Sequence, residues 1–299
     1  MPPNSDITGL NTVESLDSNV ALITGAGSGI GAATATRLAD TPGVGCLVLT
    51  DRDGAALDRV AARLDRPGLR LLTRTADVAD ERGWLALEND VRETFGRLDY
   101  AVANAGIAHG EPLAEHSFDA WRRVMAVNLD GVFLTLRSAL RLIRAGGRGG
   151  AIVVVASAAG VKAEAGIAAY GASKAAVVQL ARVAAKECAP DRVRVNAILP
   201  AGVQTPIWRD VPFFQQLVQE TGDEQAAFDR MAALATPLGR YATADEVASQ
   251  IAFLLSDAAA TITGAALVTD GGYTLWLSFK TAVRGRPGAA GPAAPRRVS

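Results

Sequence analysis

The sequence predicts a doubly wound α/β fold, a seven-stranded parallel sheet with helices on both faces. Three observations predict it. Short apolar runs alternate with helix-length amphipathic segments from residue 20 to residue 269. The runs are continuous in Val, Ile, Leu and Ala, as strands covered on both faces require. A glycine-rich turn follows the first run and opens the first helical segment.

Residues 20–24 read as the first strand and 29–39 as the first helix. A strand at 45–50 and a helix at 52–64 follow, then a strand at 69–75 and a helix at 81–95. Residues 98–103 form the fourth strand. A long amphipathic helix spans 117–144, with a break in character near Asn128. The very apolar segment 150–156 is the fifth strand, 170–189 a helix and 193–199 the sixth strand. A helix at 244–255 and a strand at 266–269 close the series. Right-handed crossovers are the default for such an order.

The chain has 299 residues, 49% hydrophobic and 20% charged, which suits a soluble globular protein with a sizeable core. A net charge of -1 gives no basic excess for nucleic acid or an anionic membrane. The longest strongly apolar run, 151–161, is too short to span a bilayer. Residues 1–19 form a polar, acidic arm, unlike a signal peptide. No Gly/Ser linker divides 20–278, which reads as one catalytic domain. Residues 279–299, with Arg, Pro, Gly and Ala concentrated from Arg284 on, read as a disordered tail. Cys46 and Cys188 are the only cysteines; two lone thiols make no disulfide framework and fit a reducing cytoplasm. His109 and His116 are the only histidines, and neither sits in a familiar metal-ligand spacing, so no metal site is expected.

The turn is Thr24-Gly25-Ala26-Gly27-Ser28-Gly29-Ile30-Gly31. Glycine lets the backbone turn tightly and approach a pyrophosphate. The helix N-terminus adds unpaired N–H groups and a positive dipole end. Gly25, Ser28, Gly29, Ile30 and Gly31 are therefore candidate dinucleotide contacts. Asp51 stands at the end of the second strand, about 20 residues past the turn. A carboxylate there accepts hydrogen bonds from the adenosine ribose and repels a 2′-phosphate, which favours NAD over NADP. Arg52, beside it, could tolerate the phosphate. Asp77-Val78 and Asn104, at the next two strand ends, fall beside the adenine and the cofactor backbone.

Tyr170 and Lys174 form a Tyr-x-x-x-Lys pair, 13 residues after Ser157. On a helix the two lie one turn apart on the same face. A phenol beside an ammonium makes a proton donor and acceptor that works near neutral pH, because the cation favours the phenolate. Ser157 can hydrogen-bond the reacting oxygen and share its developing charge.

Together these motifs resemble the short-chain dehydrogenase/reductase family, in its single-domain Rossmann form. The resemblance runs from about Val20 to Thr274 and includes Asp77, Asn104-Ala105-Gly106, Asn128, Asn196–Pro200 and Asp270-Gly271-Gly272. It implies NAD(P)-dependent hydride transfer between an alcohol and its carbonyl. Tyr170 would take the hydroxyl proton in oxidation and return it in reduction. The resemblance also implies contacts from Lys174 to the nicotinamide ribose. Asn128 would kink its helix and hold a relay water. Val203 and Thr205 would hold the nicotinamide carboxamide. A tetramer or dimer is implied, built from the helices carrying Asn128 and Tyr170. Two positions depart from the family pattern: Pro200-Ala201-Gly202 stands where Pro-Gly is usual, and Ala103 where Asn is frequent.

Residues 205–238 break the rhythm and would overhang the strand ends as a lid. Trp208, Phe213, Phe214, Leu217, Phe228 and Met231 make it aromatic and apolar. The expected substrate is a cyclic, steroid- or terpenoid-like secondary alcohol or its ketone. Arg209 leaves a carboxylate clamp open, and Lys162 and Glu164 read as solvated. Two other readings stand beside this one: an NADP-dependent 3-oxoacyl-thioester reductase, and a non-catalytic NAD-binding sensor or scaffold.

Overall fold

The computed structural model describes residues 18–275. Residues 1–17 of the expected arm, and the expected tail at 279–299, lie outside the described residues.

The first half of the chain runs β1 (Asn19–Thr24), α1 (Gly29–Ala39), β2 (Val44–Asp51), α2 (Gly54–Leu64), β3 (Arg70–Thr75), α3 (Glu81–Phe95) and β4 (Tyr100–Ala103). It continues with α4 (Phe118–Met125), a π-helical turn (Ala126–Asp130), α5 (Gly131–Gly146), β5 (Gly150–Val155), α6 (Ala168–Cys188) and β6 (Val193–Pro200). A short strand β7 (Val203–Gln204) leads to α7 (Pro212–Thr221) and α8 (Glu224–Ala235). The chain returns through β8 (Ala242–Thr243), α9 (Ala244–Leu255) and β9 (Ala266–Thr269). Seven strands form one parallel sheet in the order β3-β2-β1-β4-β5-β6-β9, and β7 pairs with β8 apart from it.

Strand residues alternate between two cores, as a period of two requires. Val20 and Leu22 of β1 and Ile152 and Val154 of β5 face α3, α5 and α6. Ala21 and Ile23, with Ala151 and Val153, face α1, α2 and α9. No residue in the middle of these strands can be polar, which explains their continuous apolar runs.

Local chemistry sets the helix ends. Asp80 accepts from the N–H groups of Arg82 and Gly83 to start α3, and Gly96, at φ 72°, ends it. Thr243 and Glu246 form a reciprocal capping box at α9. The second helix begins at Gly54, two residues later than the pattern predicts. The Asp51 carboxylate accepts from the Asp53 N–H, and Asp53 in turn caps Ala56, which keeps Arg52 and Asp53 outside the helix. The break expected near Asn128 is a π-helical turn. The lid region, which breaks the strand–helix rhythm, holds two successive helices.

The strand order reverses between β1 and β4, so a crevice opens outside their carboxyl ends. Leu22 anchors this part of the sheet and is fully buried. Leu22→Ala should lower unfolding stability by about 2–5 kcal/mol. Urea denaturation checks this; a loss well under 1 kcal/mol would contradict the packing described.

Candidate active site

The glycine turn closes on itself at the carboxyl end of β1. Gly25 and Gly29 take positive φ, 65° and 52°. A Cβ on Gly31 would collide with the Gly25 carbonyl oxygen, so only glycine lets the helix start this close to the strand. Ser28 precedes α1 and its side chain caps no N–H, leaving the first-turn N–H groups free of a side-chain partner. Ile30 points inward and packs on the core under α1. A tight turn with an uncapped helix start is a cradle that fits a pyrophosphate.

Three neighbours complete that cradle. The Asp51 carboxylate accepts from the Gly27 N–H at 2.9 Å, so it sits against the turn. Asn104 donates to the carbonyls of Thr24 and Gly25 at 2.9 and 3.2 Å, tying β4 to the turn. Thr205 lies across the helix start, where a Cβ on Gly29 would meet its methyl at 3.3 Å. Asp77 and Val78 line a shallow hollow with Thr50, whose buried hydroxyl has no partner. Val78 reaches that position because Gly131 has no side chain; a Cβ there would stand 2.7 Å from the valine methyl.

The second cluster forms at the end of β5. Ser157 follows the strand, buried, with its hydroxyl 3.3 Å from the Pro200 carbonyl and accepting from the Ala159 N–H. The turn at Ala158–Gly160 presses directly on α6: a Cβ on Gly160 would stand 2.8 Å from the Lys174 carbonyl carbon. This contact brings Ser157 towards Tyr170, close enough for its hydroxyl to act on the phenol. Lys174 is 3% exposed and donates to the Val155 carbonyl at 2.9 Å.

Asn128 is fully buried in the π turn. Its amide accepts from the Ile107 N–H at 2.8 Å and donates to the Ile107 carbonyl at 2.9 Å and to Ser173 at 3.2 Å. The side chain is thus occupied in holding the loop after β4. Gly106 stands between it and the ammonium: a Cβ there would lie 3.3 Å from Lys174 Nζ and 3.4 Å from Asn128 Oδ1.

Burial works against the acidic phenol that the sequence leads one to expect at Tyr170. Burial is the largest influence and pushes that phenol above its ordinary 10.0, while the Ser157 hydrogen bond works in the opposite direction. Lys174 Nζ stands 5.7 Å from the Tyr170 ring centre. Burial also holds the lysine itself down, from 10.5 to about 8.

The lid departs from expectation as well. Phe214, Leu217, Phe228 and Met231 are buried in a small core of their own, with Trp208 and Tyr241 packed on it. Phe214 and Phe228 pack at 4.7 Å, and Trp208 stacks on Tyr241 at 6.1 Å. Among the six apolar lid residues singled out from the sequence, Phe213 alone is largely exposed, at 61%. The Trp208 indole donates to the Val203 carbonyl at 2.9 Å, which holds β7 in place. Gly202 is small because the Tyr241 ring occupies the space of its Cβ. Arg209 is engaged by both carboxylate oxygens of Glu224 and forms no clamp.

Lys162 and Glu164 are not merely solvated. The ammonium donates to the Tyr273 carbonyl at 2.8 Å and lies 3.8 Å over its ring, while the Tyr273 phenol donates to Glu164 at 2.6 Å. Sequence reasoning missed Tyr273, and only its place just after Asp270-Gly271-Gly272 hinted at it. It also passed over Thr24, whose hydroxyl accepts from the Asn104 and Ala105 N–H groups. Asn196, part of the motif, bridges to Ile262 and Ala265 and is structural.

A family model described as enoyl-(acyl carrier protein) reductase matches residues 25–274. A cis-4-hydroxycyclohexanecarboxylate dehydrogenase of Sinomonas cyclohexanicum is 43% identical over 87% of this chain and 98% of that protein. The crystal structure of a carveol dehydrogenase from Mycobacterium avium with NAD superposes at a TM-score of 0.81 and 29% identity, over 88% of this chain and 99% of that one. An L-sorbose reductase from Gluconobacter frateurii with NADPH and L-sorbose gives 0.81 and 32%, with the same coverage of both chains.

The buried lysine yields a test. Its charged form is penalised in the folded state, so this penalty is complete below about pH 8 and fades as pH rises from there towards 10.5. Lys174→Met should therefore be more stable than the parent at pH 7, with the advantage shrinking by pH 10. Urea unfolding at both values checks it; an advantage that grows with pH would contradict the assignment.

Proposed function

Because the chain belongs to the short-chain dehydrogenase/reductase family, a family of alcohol dehydrogenases and carbonyl reductases, we propose that it transfers hydride between NAD(H) and a cyclic secondary alcohol or its ketone. The observation that carries this reading is the meeting of Ser157, Tyr170 and Lys174 at the end of β5, in the sheet whose glycine turn lies two strands away.

Bound NAD supplies the hydride acceptor and, when oxidised, a positively charged ring. The chain's residues do the rest. Tyr170 accepts the alcohol's hydroxyl proton in oxidation and returns it in reduction. Ser157 donates to the same oxygen and stabilises its developing charge. Burial keeps the phenol protonated on its own, so its ionisation rests on Ser157 and on positive charge arriving nearby. Lys174, with a value of about 8, holds the ribose and passes protons near neutral pH. Asn128 positions the loop that faces the ammonium. Gly25, Ser28, Gly29 and Gly31 hold the pyrophosphate, and Asp77, Val78 and Asn104 the adenine side. Val203 and Thr205 hold the carboxamide.

Asp51 supports NAD. It lies against the turn while Arg52 is exposed, so a 2′-phosphate would meet a carboxylate first. The cyclic substrate rests on the hydroxycyclohexanecarboxylate and carveol enzymes, since the lid aromatics are spent on their own core. A homodimer or homotetramer is supported by Phe133 on α5 and Val183 on α6, both apolar and exposed. No helix among the described residues is long and apolar enough to cross a membrane, and with two buried free thiols we place the protein in the cytoplasm.

Two outcomes test the reading. Tyr170→Phe should keep dinucleotide binding, measured by fluorescence quenching, and lower kcat by about two orders of magnitude or more. Near-normal turnover would reject the role. The second test screens cyclohexanols and monocyclic terpene alcohols with NAD and with NADP, and an acetoacetyl thioester with NADPH. NAD should give the higher kcat/KM with a cyclic alcohol. Preference for the thioester with NADPH would favour the reductase alternative and count against Asp51 as selector.

A further inference from the structure

His109, Glu111 and His116 lie on the loop between β4 and α4, outside the groups assigned to hydride transfer. Their sequence pattern, His-x-Glu with a second His five residues on, is not a familiar ligand spacing. The loop nevertheless folds so that the three side chains converge. One donor atom from each lies within 4.8 Å of the others. His109 Nε2 is 3.3 Å from Glu111 Oε2, and His116 Nδ1 is 4.0 Å from that same oxygen. The two imidazoles meet edge to face at 5.1 Å, and Trp121 closes the far side of His116.

The second observation is independent of this convergence. The His116 side chain is only 3% exposed, and neither ring nitrogen has a hydrogen-bond partner. An imidazole carries donor or acceptor capacity at both nitrogens, whatever its tautomer or charge. Burying both without partners costs free energy. A cation held between His116, His109 and the carboxylate removes the demand at Nδ1. It also gives the Glu111 charge a counter-ion.

We propose that His109, Glu111 and His116 form a binding site for one zinc-class divalent cation. Two imidazoles and a carboxylate are the donor set of borderline-soft metals, whereas calcium and magnesium take oxygen cages. Bonds of 2.0–2.2 Å in a tetrahedron place ligand atoms about 3.4 Å apart. The His109–Glu111 pair is already at that spacing. Rotation of His109 and Glu111, each about one-third exposed, brings the set together around buried His116. The fourth position stays open to water. The ion would pin the loop to its neighbour, because the Glu111 N–H donates to the Gly166 carbonyl at 2.6 Å, four residues before Tyr170.

The test uses the full chain, stripped with EDTA, and zinc chloride as the probe. Calorimetry should find one zinc per chain, and zinc should raise the melting temperature. Cobalt(II) should give the intense visible bands of a tetrahedral centre. His109→Asn and Glu111→Gln, both at partly exposed positions, should each bind zinc at least tenfold more weakly and lose the cobalt bands. Unchanged dinucleotide binding verifies that these variants are folded. Absence of binding at about 1 mM zinc, or binding by either variant equal to that of the parent, would overturn the proposal.

Discussion

The buried ammonium of Lys174 is the constraint on which the centre of this molecule depends. A cation taken out of water destabilises the fold unless something nearby accepts its protons. Here the Val155 carbonyl does so, at the end of a strand that is otherwise entirely apolar. Two glycines lie directly against it. Gly160 lets the turn after β5 lie against the lysine's own backbone, and Gly106 leaves open the space between the ammonium and Asn128. The π turn at Ala126–Asp130 turns Asn128 inward to secure the loop that carries Gly106. Stability is surrendered locally, and the ammonium's value is brought down to about 8.

The same sheet delivers the second half of the site. Its strand order reverses between β1 and β4, so the glycine turn and the Asn104 loop face each other across one crevice. Thr24 and Asn104 fix the width of that crevice through backbone bonds, before any ligand is present to define it. Such preorganisation lowers the cost of binding a flexible dinucleotide. Asp51 holds the turn by accepting from the Gly27 and Asp53 N–H groups, so the carboxylate proposed to select NAD also has a structural part.

The rim is assembled from separate pieces. The α7–α8 pair carries its own aromatic core and hangs on β7 through Trp208, which lets it behave as a unit. On another side, Lys162, Glu164 and Tyr273 clasp the loop between Ser157 and Tyr170 to the turn after β9. On a third, the loop carrying His109, Glu111 and His116 pairs with Gly166 and Ile167. The loop that delivers Tyr170 to Ser157 is thus held from two directions.

Periodicity and motif spacing were enough to read the sheet and its seven strands, and they singled out Gly25–Gly31, Asp51, Asn104, Ser157, Tyr170 and Lys174 as candidates at the strand ends. These signals are local: a strand buried on both faces must be apolar throughout, and a turn that meets a pyrophosphate must be glycine. Side-chain partners were not legible, because they join residues distant in sequence. The aromatic lid looked like a substrate wall, yet Phe214 and Phe228 find each other. Lys162 and Glu164 looked solvated until Tyr273, more than 100 positions away, closed over them. Beside any effect of Lys174 on Tyr170, burial acts on both groups, and burial is visible only in three dimensions. Composition and spacing decide which backbone can form; the environment of each charge is decided by what the fold packs around it.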